Sequence, residues 1–355
     1  MSHKRISATI CLPLTVCFLF LAALAAHAAG GSTFTVDSGG IRISITQPWS
    51  LSTGDLIGRP DHVLSLTLYD EEAGVIAGSG GVSVFPYQDD PFPDQEELRR
   101  MDTEALSTLV NYYSEYYLKN PPEGEAELPA LEEINGVTGV VVRKKKDTGD
   151  ASAKDFSIGY YFPFKNKFVY LSAGVTGDDA AGDALERISA SFVPDTSSPA
   201  DMTTVHSNGM SLSCPRSWSV AVGGIISDPT WATITKEDEN EDTIAKVTVF
   251  PPVAAGNAPA GMEERLRATH SILGTNSPTK SIAPLGVQQT TVGKFPATLT
   301  RVQVVVDGEK PMLVELRDIA VGDTIVTIAT RYTGTLSEKD TEELKAVYAS
   351  FTWKP

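Results

Sequence analysis

Residues 82–86 read V-S-V-F-P, and residues 247–251 repeat this pentapeptide as V-T-V-F-P. In both copies apolar residues flank a small hydroxyl residue, a pattern that predicts a buried strand. The final proline cannot donate a hydrogen bond to a sheet, so we expect the chain to leave the sheet there. The repetition predicts two copies of one structural unit.

The sequence around the pentapeptides aligns in the same order. An alternating strand and then a tryptophan precede each one, and an offset of 169 residues places Trp49 on Trp218 and Ile45 on Cys214. A short helix is predicted to close each copy, with apolar residues three and four positions apart. The offset there is 159, for the pairs Leu185 and Leu344, Ile188 and Val347, and Phe192 and Phe351. We therefore expect an internal duplication.

A longer helix is predicted after each pentapeptide. In the first copy Asp94 and Glu97 have capping-box spacing, and the helix is expected to continue to about Leu118. In the second copy residues 260–273 are expected to be helical, with Gly274 as the C-cap. The other segments do not alternate regularly with helices. The predicted fold class is therefore α+β: two tandem copies of an antiparallel sheet flanked by one long and one C-terminal helix.

The first residues have the pattern of a secretory signal. Lys4 and Arg5 precede an apolar run, and A-H-A at residues 26–28 is a small-x-small cleavage pattern. We expect cleavage near Ala28 and a periplasmic or secreted product without a transmembrane anchor; the alternative is an uncleaved N-terminal anchor. The predicted parts are a signal peptide, a first domain, a polar linker and a second domain, at residues 1–28, 32–194, 195–204 and 205–355.

Three motifs occur in both copies: an apolar strand followed by a proline and a tryptophan, a central V-x-V-F-P strand, and a closing L-x-x-[IV]-x-x-S-F helix. Together they resemble the PsbP-like (Mog-type) superfamily, to which the DcrB and LpqN-type envelope proteins belong. The resemblance covers residues 40–192 and 209–351. It implies a sheet flanked by helices and a non-catalytic accessory, adaptor or carrier role, and it assigns no catalytic residue.

The composition argues against several classes of function. The formal charge of −16 becomes −18 when the two signal-peptide cations are removed, and such a surface repels nucleic acids and anionic lipid headgroups. Cys214 is the remaining cysteine and aligns with the inward-facing Ile45, so we expect a buried structural thiol. The remaining histidines show no metal-ligand spacing: His62, His206 and His270. We predict no cofactor, no metal site and no catalytic residue.

Two features are candidate surfaces for a partner or ligand. Tyr112 and Tyr116 form a second apolar stripe on the first long helix, which suits an interface; the alternative is that this helix simply covers more core. The second feature is the basic run of Arg143, Lys144, Lys145 and Lys146 in an acidic protein. It predicts either a solvated strand end or a docking patch for an acidic partner.

The leading hypothesis is an exported, non-catalytic accessory or binding protein of the bacterial cell envelope. Its partner would be an envelope protein or a small apolar ligand, bound between the copies or beside the tyrosine helix. Two alternatives remain open. A carrier of a small apolar or lipid-like ligand requires a sizeable apolar pocket. A hydrolase with a dispersed site requires a buried carboxylate or histidine with a shifted pKa in a cleft.

Overall fold

The structure is a computed structural model, and it describes residues 31–54, 62–70, 75–86, 92–117, 127–148, 154–164, 167–194, 199, 201–224, 230–238, 242–257, 279–308, 310–333 and 335–354. The predicted signal peptide and the predicted helix over residues 260–273 lie outside the described residues. So do residues 195–198 and 200 of the predicted linker.

The first half of the chain contains nine strands and three helices within the described residues. They are β1 (Thr33–Ser38), β2 (Ile41–Thr46), β3 (Trp49–Thr53), β4 (His62–Asp70), β5 (Val75–Pro86), α1 (Gln95–Leu98), α2 (Thr103–Tyr117), β6 (Ala130–Ile134), β7 (Val137–Asp147), β8 (Lys154–Phe164), β9 (Lys167–Gly177) and α3 (Asp179–Ala190).

The described residues of the second half contain eleven strands, a short 3-10 helix and one α-helix. They are β10 (Met202–Ser207), β11 (Met210–Pro215), β12 (Ser219–Gly223), β13 (Ala232–Glu237), β14 (Thr243–Val249), β15 (Val253–Ala254), the 3-10 helix (Ala255–Asn257), β16 (Thr279–Val292), β17 (Phe295–Val306), β18 (Met312–Val321), β19 (Thr324–Thr333), α4 (Glu338–Ser350) and β20 (Thr352–Trp353).

These strands form two antiparallel sheets. The larger sheet has the order β16-β17-β18-β19-β14-β13-β12-β3-β4-β5-β9-β8-β7-β6, with β15 paired to β19, and the smaller has the order β2-β1-β10-β11-β20. The predicted antiparallel pairing is confirmed. The described chain is, however, richer in sheet than the α+β prediction stated, because several short or polar strands give no strong alternating pattern.

The two halves have the same strand order. In the larger sheet β3-β4-β5-β9-β8-β7-β6 of the first half corresponds to β12-β13-β14-β19-β18-β17-β16 of the second. The hairpin turns also correspond: Gly39 and Gly40 have φ of 63° and 81°, and Asn208 and Gly209 have φ of 49° and 75°. Positive φ at both central residues is what a tight type I′ hairpin requires.

The halves are joined by pairing between corresponding strands. β1 pairs with β10 so that Val36 lies opposite Val205, and β3 pairs with β12 so that Ser52 lies opposite Ala221. Each of these pairs differs by 169 in residue number, the offset found in the sequence. Antiparallel pairing centred on corresponding residues has the geometry of a local twofold axis. Met202 begins β10, so residues 202–204 belong to this junction rather than to the predicted linker.

The inward faces of both sheets enclose a core to which both halves contribute. The strands supply alternating apolar residues, and Phe34 of β1 lies 6.4 Å from Trp231 between ring centroids. Each closing helix packs its apolar stripe on this core, as the sequence predicts; the buried residues are Leu185, Ile188, Phe192, Leu344, Val347 and Phe351. Each such side chain contributes about 1.5–3 kcal/mol by leaving water.

The first long helix is interrupted, contrary to the prediction. Its capping box is present: Asp94 Oδ1 accepts from the Glu97 amide at 2.9 Å, and Glu97 Oε2 accepts from the Asp94 amide at 3.0 Å. The helix stops at Leu98 and restarts after Asp102, whose carboxylate accepts from the Ala105 amide at 2.9 Å. A second N-cap residue at position 102 starts a new helix, which explains the break.

The described helices are all too short or too polar to cross a bilayer.

Candidate functional site

Helix α2 covers part of the larger sheet with aromatic side chains. Tyr113 is buried, and its ring meets the ring of Phe168 on β9 edge-on, 4.9 Å between centroids. Phe92 lies against both rings, at 5.7 Å from Phe168 and 5.0 Å from Tyr113. Ser114 shares a 2.8 Å hydrogen bond with the hydroxyl of Tyr161 on β8. This side of α2 is therefore part of the core.

The second tyrosine stripe is described in part. Tyr112 remains 43% exposed, and its ring meets that of Tyr113 edge-on at 5.2 Å between centroids. Tyr112 is thus not enclosed by the core under α2, so its role at a surface stays a prediction. The side chain of Tyr116 lies outside the described residues.

The basic run at the end of β7 is divided between the two faces of the sheet. Successive side chains of a strand point to opposite faces. Val140 packs under α2, so Lys144 and Lys146 also point to the α2 side of the sheet. Arg143 and Lys145 point to the other side, where α3 lies. The four residues therefore form two pairs on opposite faces rather than one patch.

Arg143 is held by an ion network beneath α3. Its Nη1 lies 2.6 Å from Glu132 Oε1, and its Nε lies 2.7 Å from Glu186 Oε1. A third bond of 3.0 Å goes to the hydroxyl of Tyr160. The bonds to Glu186 and Glu132 raise the pKa of the Arg143 guanidinium, and Arg143 lowers the pKa of the Glu132 carboxyl. Burial raises the pKa of Tyr160.

Lys145 also forms an ion pair with α3. Its ammonium lies 3.4 Å from the carboxylate of Asp179, the first residue of that helix, and 5.1 Å from the ring centroid of Phe156. Lys154 reaches the same carboxylate at 3.3 Å. Lys154 and Lys145 together lower the pKa of Asp179. Arg143 and Lys145 are bound by acidic residues of the same chain. These intramolecular contacts explain the presence of two of the four basic residues without invoking a partner protein.

The α2 side of the larger sheet carries two adjacent rows of small residues across β8, β9, β5, β4 and β3. In strand register the rows are Gly159, Ser172, Gly81, Ser65 and Ser52, and Ser157, Gly174, Ser79, Thr67 and Ser50. We call these ten residues the hydroxyl face. None is larger than threonine and none is charged. At ~4.8 Å between neighbouring strands, the face is roughly 19 Å wide.

The hydroxyl face continues across the junction of the two halves. Ser52 on β3 lies opposite Ala221 on β12, and Ala221 lies opposite Thr233 on β13. At the other end, Lys144 on β7 lies opposite Ser157. Ser52 and Ser79 of the hydroxyl face are exposed, and so is the adjoining Ala221. Corresponding strands of both halves therefore build one continuous surface.

A second ion network lies buried in the second half. Glu315 and Arg317 of β18 are 4% and 8% exposed, and Arg317 Nη2 lies 2.6 Å from Glu315 Oε2. Arg301 Nε lies 2.7 Å from the other carboxylate oxygen. Arg317 also donates to the hydroxyl of Tyr348 at 2.9 Å and stacks on its ring. Thr330 shares a hydrogen bond with the same hydroxyl.

The charges in this network compensate one another. Burial raises the pKa of the Glu315 carboxyl, but Arg317 and Arg301 outweigh burial and place it below its ordinary value. Burial raises the pKa of Tyr348, and it raises that of Tyr332 to about 12. A carboxyl held ionised by two guanidinium groups is a poor general acid or base near neutral pH. The network is therefore suited to fastening α4 to β18.

Cys214 is buried, as predicted. It is 1% exposed, and burial raises the pKa of its thiol to about 12, so little reactive thiolate is present at neutral pH. His206 lies on β10, where burial and then Arg42 lower its pKa while Asp37 acts in the opposite direction. Within the described ranges, no group of three or more His, Cys, Asp or Glu residues is arranged to hold a metal ion.

A small polar cavity lies where the halves meet. It has a volume of about 10 Å³ and is lined by Ser38, Thr53, Gly54, Val63, Thr203 and Arg216. Ser38 and Thr203 share a 2.8 Å hydrogen bond in its wall. A cavity of this size holds about one water molecule. It is too small and too polar for the apolar ligand that was expected between the copies.

Sequence reasoning missed both ion networks and the hydroxyl face. Glu315 and Arg317 stand two positions apart in strand β18, Met312–Val321. Two opposite charges on one face of an otherwise apolar strand are the signal for a buried ion pair. The hydroxyl face has no such signal, because its rows are assembled from five strands far apart in sequence.

The comparison with solved structures finds weak structural similarity. No family model matches the chain, and no curated protein matches its sequence. Among solved structures, the chain is similar to the cyanobacterial PsbP protein CyanoP of Synechocystis, with 10% sequence identity and a TM-score of 0.31. The similarity covers 46% of this chain and 92% of that chain.

Proposed function

We propose that this chain is an exported, non-catalytic binding protein of the bacterial cell envelope that holds a partner protein on its hydroxyl face. Its two halves would be tandem PsbP-like copies of the Mog type, with DcrB and LpqN-type proteins as relatives. The cleavage pattern before Ala28 supports export to the periplasm or the medium. The shared motifs and the matching strand orders support an origin by duplication.

The observation that carries the proposal is the absence of charged residues from the ten positions of the hydroxyl face. A solvent-facing side of an antiparallel sheet ordinarily carries polar and charged side chains that keep it in water. Here ten adjacent positions hold only glycine, serine and threonine in a chain with 45 acidic residues. Two of them, Gly81 and Gly159, are buried, and the other eight are partly or fully exposed. Depletion of charged residues is one feature of the centre of a protein interface. Small side chains also allow a partner backbone to approach closely.

A binding role fits the ionisable groups better than catalysis does. Glu132 and Glu315 are the described glutamates with shifted pKa values, and both are lowered by neighbouring arginines. Catalytic carboxyls are more often tuned toward neutral pH by burial or by a like charge. Both glutamates instead fasten a closing helix or its sheet.

The test is a pair of matched double variants. Ser79→Arg with Thr67→Arg places two long cations on the hydroxyl face, whereas Ala346→Arg with Ala349→Arg adds the same charge to the exposed side of α4. Partners would be cross-linked and captured from envelope extract, identified, purified and titrated against each variant. Near-ultraviolet circular dichroism would establish that both variants retain the native fold.

We expect the hydroxyl-face variant to bind the purified partner at least tenfold more weakly than the α4 variant does. Equal binding by both variants would rule out the hydroxyl face as the docking surface. Turnover of an envelope substrate by the purified protein would contradict the non-catalytic proposal itself. These two outcomes separate an error about the surface from an error about the function.

A further inference from the structure

Strand β16 forms one end of the larger sheet and is unusually exposed. Among the described strands it pairs with β17 alone, over Thr279–Val292, which leaves its other edge without a partner strand in the described part of the chain. Leu285 and Val287 are 58% and 67% exposed on this strand. An unpaired strand edge presents a row of backbone donors and acceptors that can template pairing with another strand.

The opposite end of the sheet is protected against such pairing. β6, the counterpart of β16 in the first half, is only Ala130–Ile134 and carries Glu132 and Glu133. Short length and charge are the usual devices that block edge-to-edge association. β16 has fourteen residues, and Lys280 is its single charged residue. The two edge strands of the larger sheet therefore differ in length and charge, and these properties determine whether another strand can pair with them.

The first part of β16 is irregular and therefore unsuited to pairing with another strand, which leaves the segment after Gly286 as the part that can pair. Pro284 and Gly286 flank a register irregularity in the pairing with β17, and a bulge with proline disrupts a ladder. Residues 287–292 pair regularly up to the tight turn after Val292. In a two-residue hairpin the closing pair is hydrogen-bonded, so the backbone groups of Val287, Gln289 and Thr291 point away from β17.

We propose that residues 287–291 pair antiparallel with the same segment of a second copy of this chain. A pair centred on Gln289 places Gln289 opposite Gln289 and Val287 opposite Thr291, and the three outward residues of each strand exchange hydrogen bonds. No like charges meet across it, although each chain carries a formal charge of −16. An antiparallel pair of identical strands is self-complementary by symmetry.

The arrangement continues a mode of association that the fold already uses. The halves of one chain are joined by antiparallel pairs of corresponding strands, centred on Val36 with Val205 and on Ser52 with Ala221. A β16 pair repeats that geometry at the free end of the same sheet. Because β6 blocks the other end of the larger sheet, β16 is the one open edge of that sheet among the described strands, and pairing there closes as a dimer instead of growing into a fibre.

The test uses charge at the centre of the proposed pair. Gln289→Lys places two cations opposite each other in a dimer, and Gln289→Glu places two carboxylates there. Gln288→Lys is the matched control, since it adds the same charge one residue away, where the pairing sets it against Thr290. Each protein would be studied by sedimentation velocity over a concentration series, because interfaces below about 1,200 Å² are weak.

We expect the unchanged chain and Gln288→Lys to dimerise with increasing concentration. Gln289→Lys and Gln289→Glu should each raise the dissociation constant at least tenfold, and an equimolar mixture of the two should restore dimers. An unchanged chain that stays monomeric at every concentration would overturn the proposal. So would dimers that Gln289→Lys leaves intact, or a mixture that fails to recover association. Recovery on mixing also excludes misfolding as the cause of the loss.

Discussion

Removal of the Arg317 guanidinium is expected to be among the most damaging single changes in the second half. Arg317→Met deletes a 2.6 Å bond to Glu315, a 2.9 Å bond to Tyr348 and stacking on the Tyr348 ring. Breaking one partner of a buried ion pair costs about 3–5 kcal/mol. Arg301 still neutralises Glu315 from 2.7 Å, so we place the loss near the lower end, at about 3 kcal/mol.

A double-mutant cycle separates this pair from its surroundings. Glu315→Leu alone leaves Arg317 buried without its carboxylate, whereas Glu315→Leu with Arg317→Met removes both charges. The double variant should therefore lose less than the sum of the single variants, with a coupling of about 2 kcal/mol or more. Urea unfolding followed by far-ultraviolet circular dichroism at pH 7 measures all four free energies of unfolding.

The contribution of Glu315 to the free energy of unfolding should also depend on pH in a direction that its pKa shift determines. The pKa of Glu315 is lower in the folded chain than its ordinary value of 4.5. Its contribution is therefore complete above the unfolded-state pKa and is lost as pH falls through the folded-state value. The stability difference between the native chain and Glu315→Leu should shrink between pH 7 and pH 3. Additive single variants, each costing less than ~1 kcal/mol, would refute the reasoning.

Three further predictions concern packing. Cys214 should not react with a thiol reagent such as DTNB until the chain is unfolded in urea, because it is buried with a pKa of about 12. Ser350→Ala should cost about 1 kcal/mol in urea unfolding, since it removes bonds to the Ser213 amide at 2.8 Å and carbonyl at 2.9 Å. Gly139→Ala should lower the thermal midpoint, because its Cβ would overlap the ring of Phe162.

Several elements could be predicted because local patterns specify them. The strands through Val82 and Val247, and the closing helices that bury Phe192 and Phe351, follow from alternation and from three- and four-residue spacing. The capping box at Asp94 was also predicted correctly. Each signal lies within a few residues of the structure that it specifies. Local pattern alone was therefore sufficient in these segments.

Other elements could not be predicted because their stability comes from distant partners. β1 and β10 are short and partly polar, and beside their local hairpin partners β2 and β11 they pair with each other across 169 residues of sequence. The continuous helix expected after Asp94 is divided at Asp102, where a local capping bond outweighs helical continuity. Strand alternation alone could have predicted that the four residues of the basic run lie on opposite faces of β7. The acids that bind Arg143 were not.

The sequence by itself determined the duplication signal, the inward faces of the strands and the burial of Cys214, because hydrophobic periodicity and internal offsets are local and additive properties. Only the tertiary structure decided how the halves join, which residues form the hydroxyl face and which edge of the sheet is left open. Hydrogen bonds between strands specify neighbours and register without requiring particular side chains. Surfaces assembled by strand order therefore leave little trace in the order of residues along the chain.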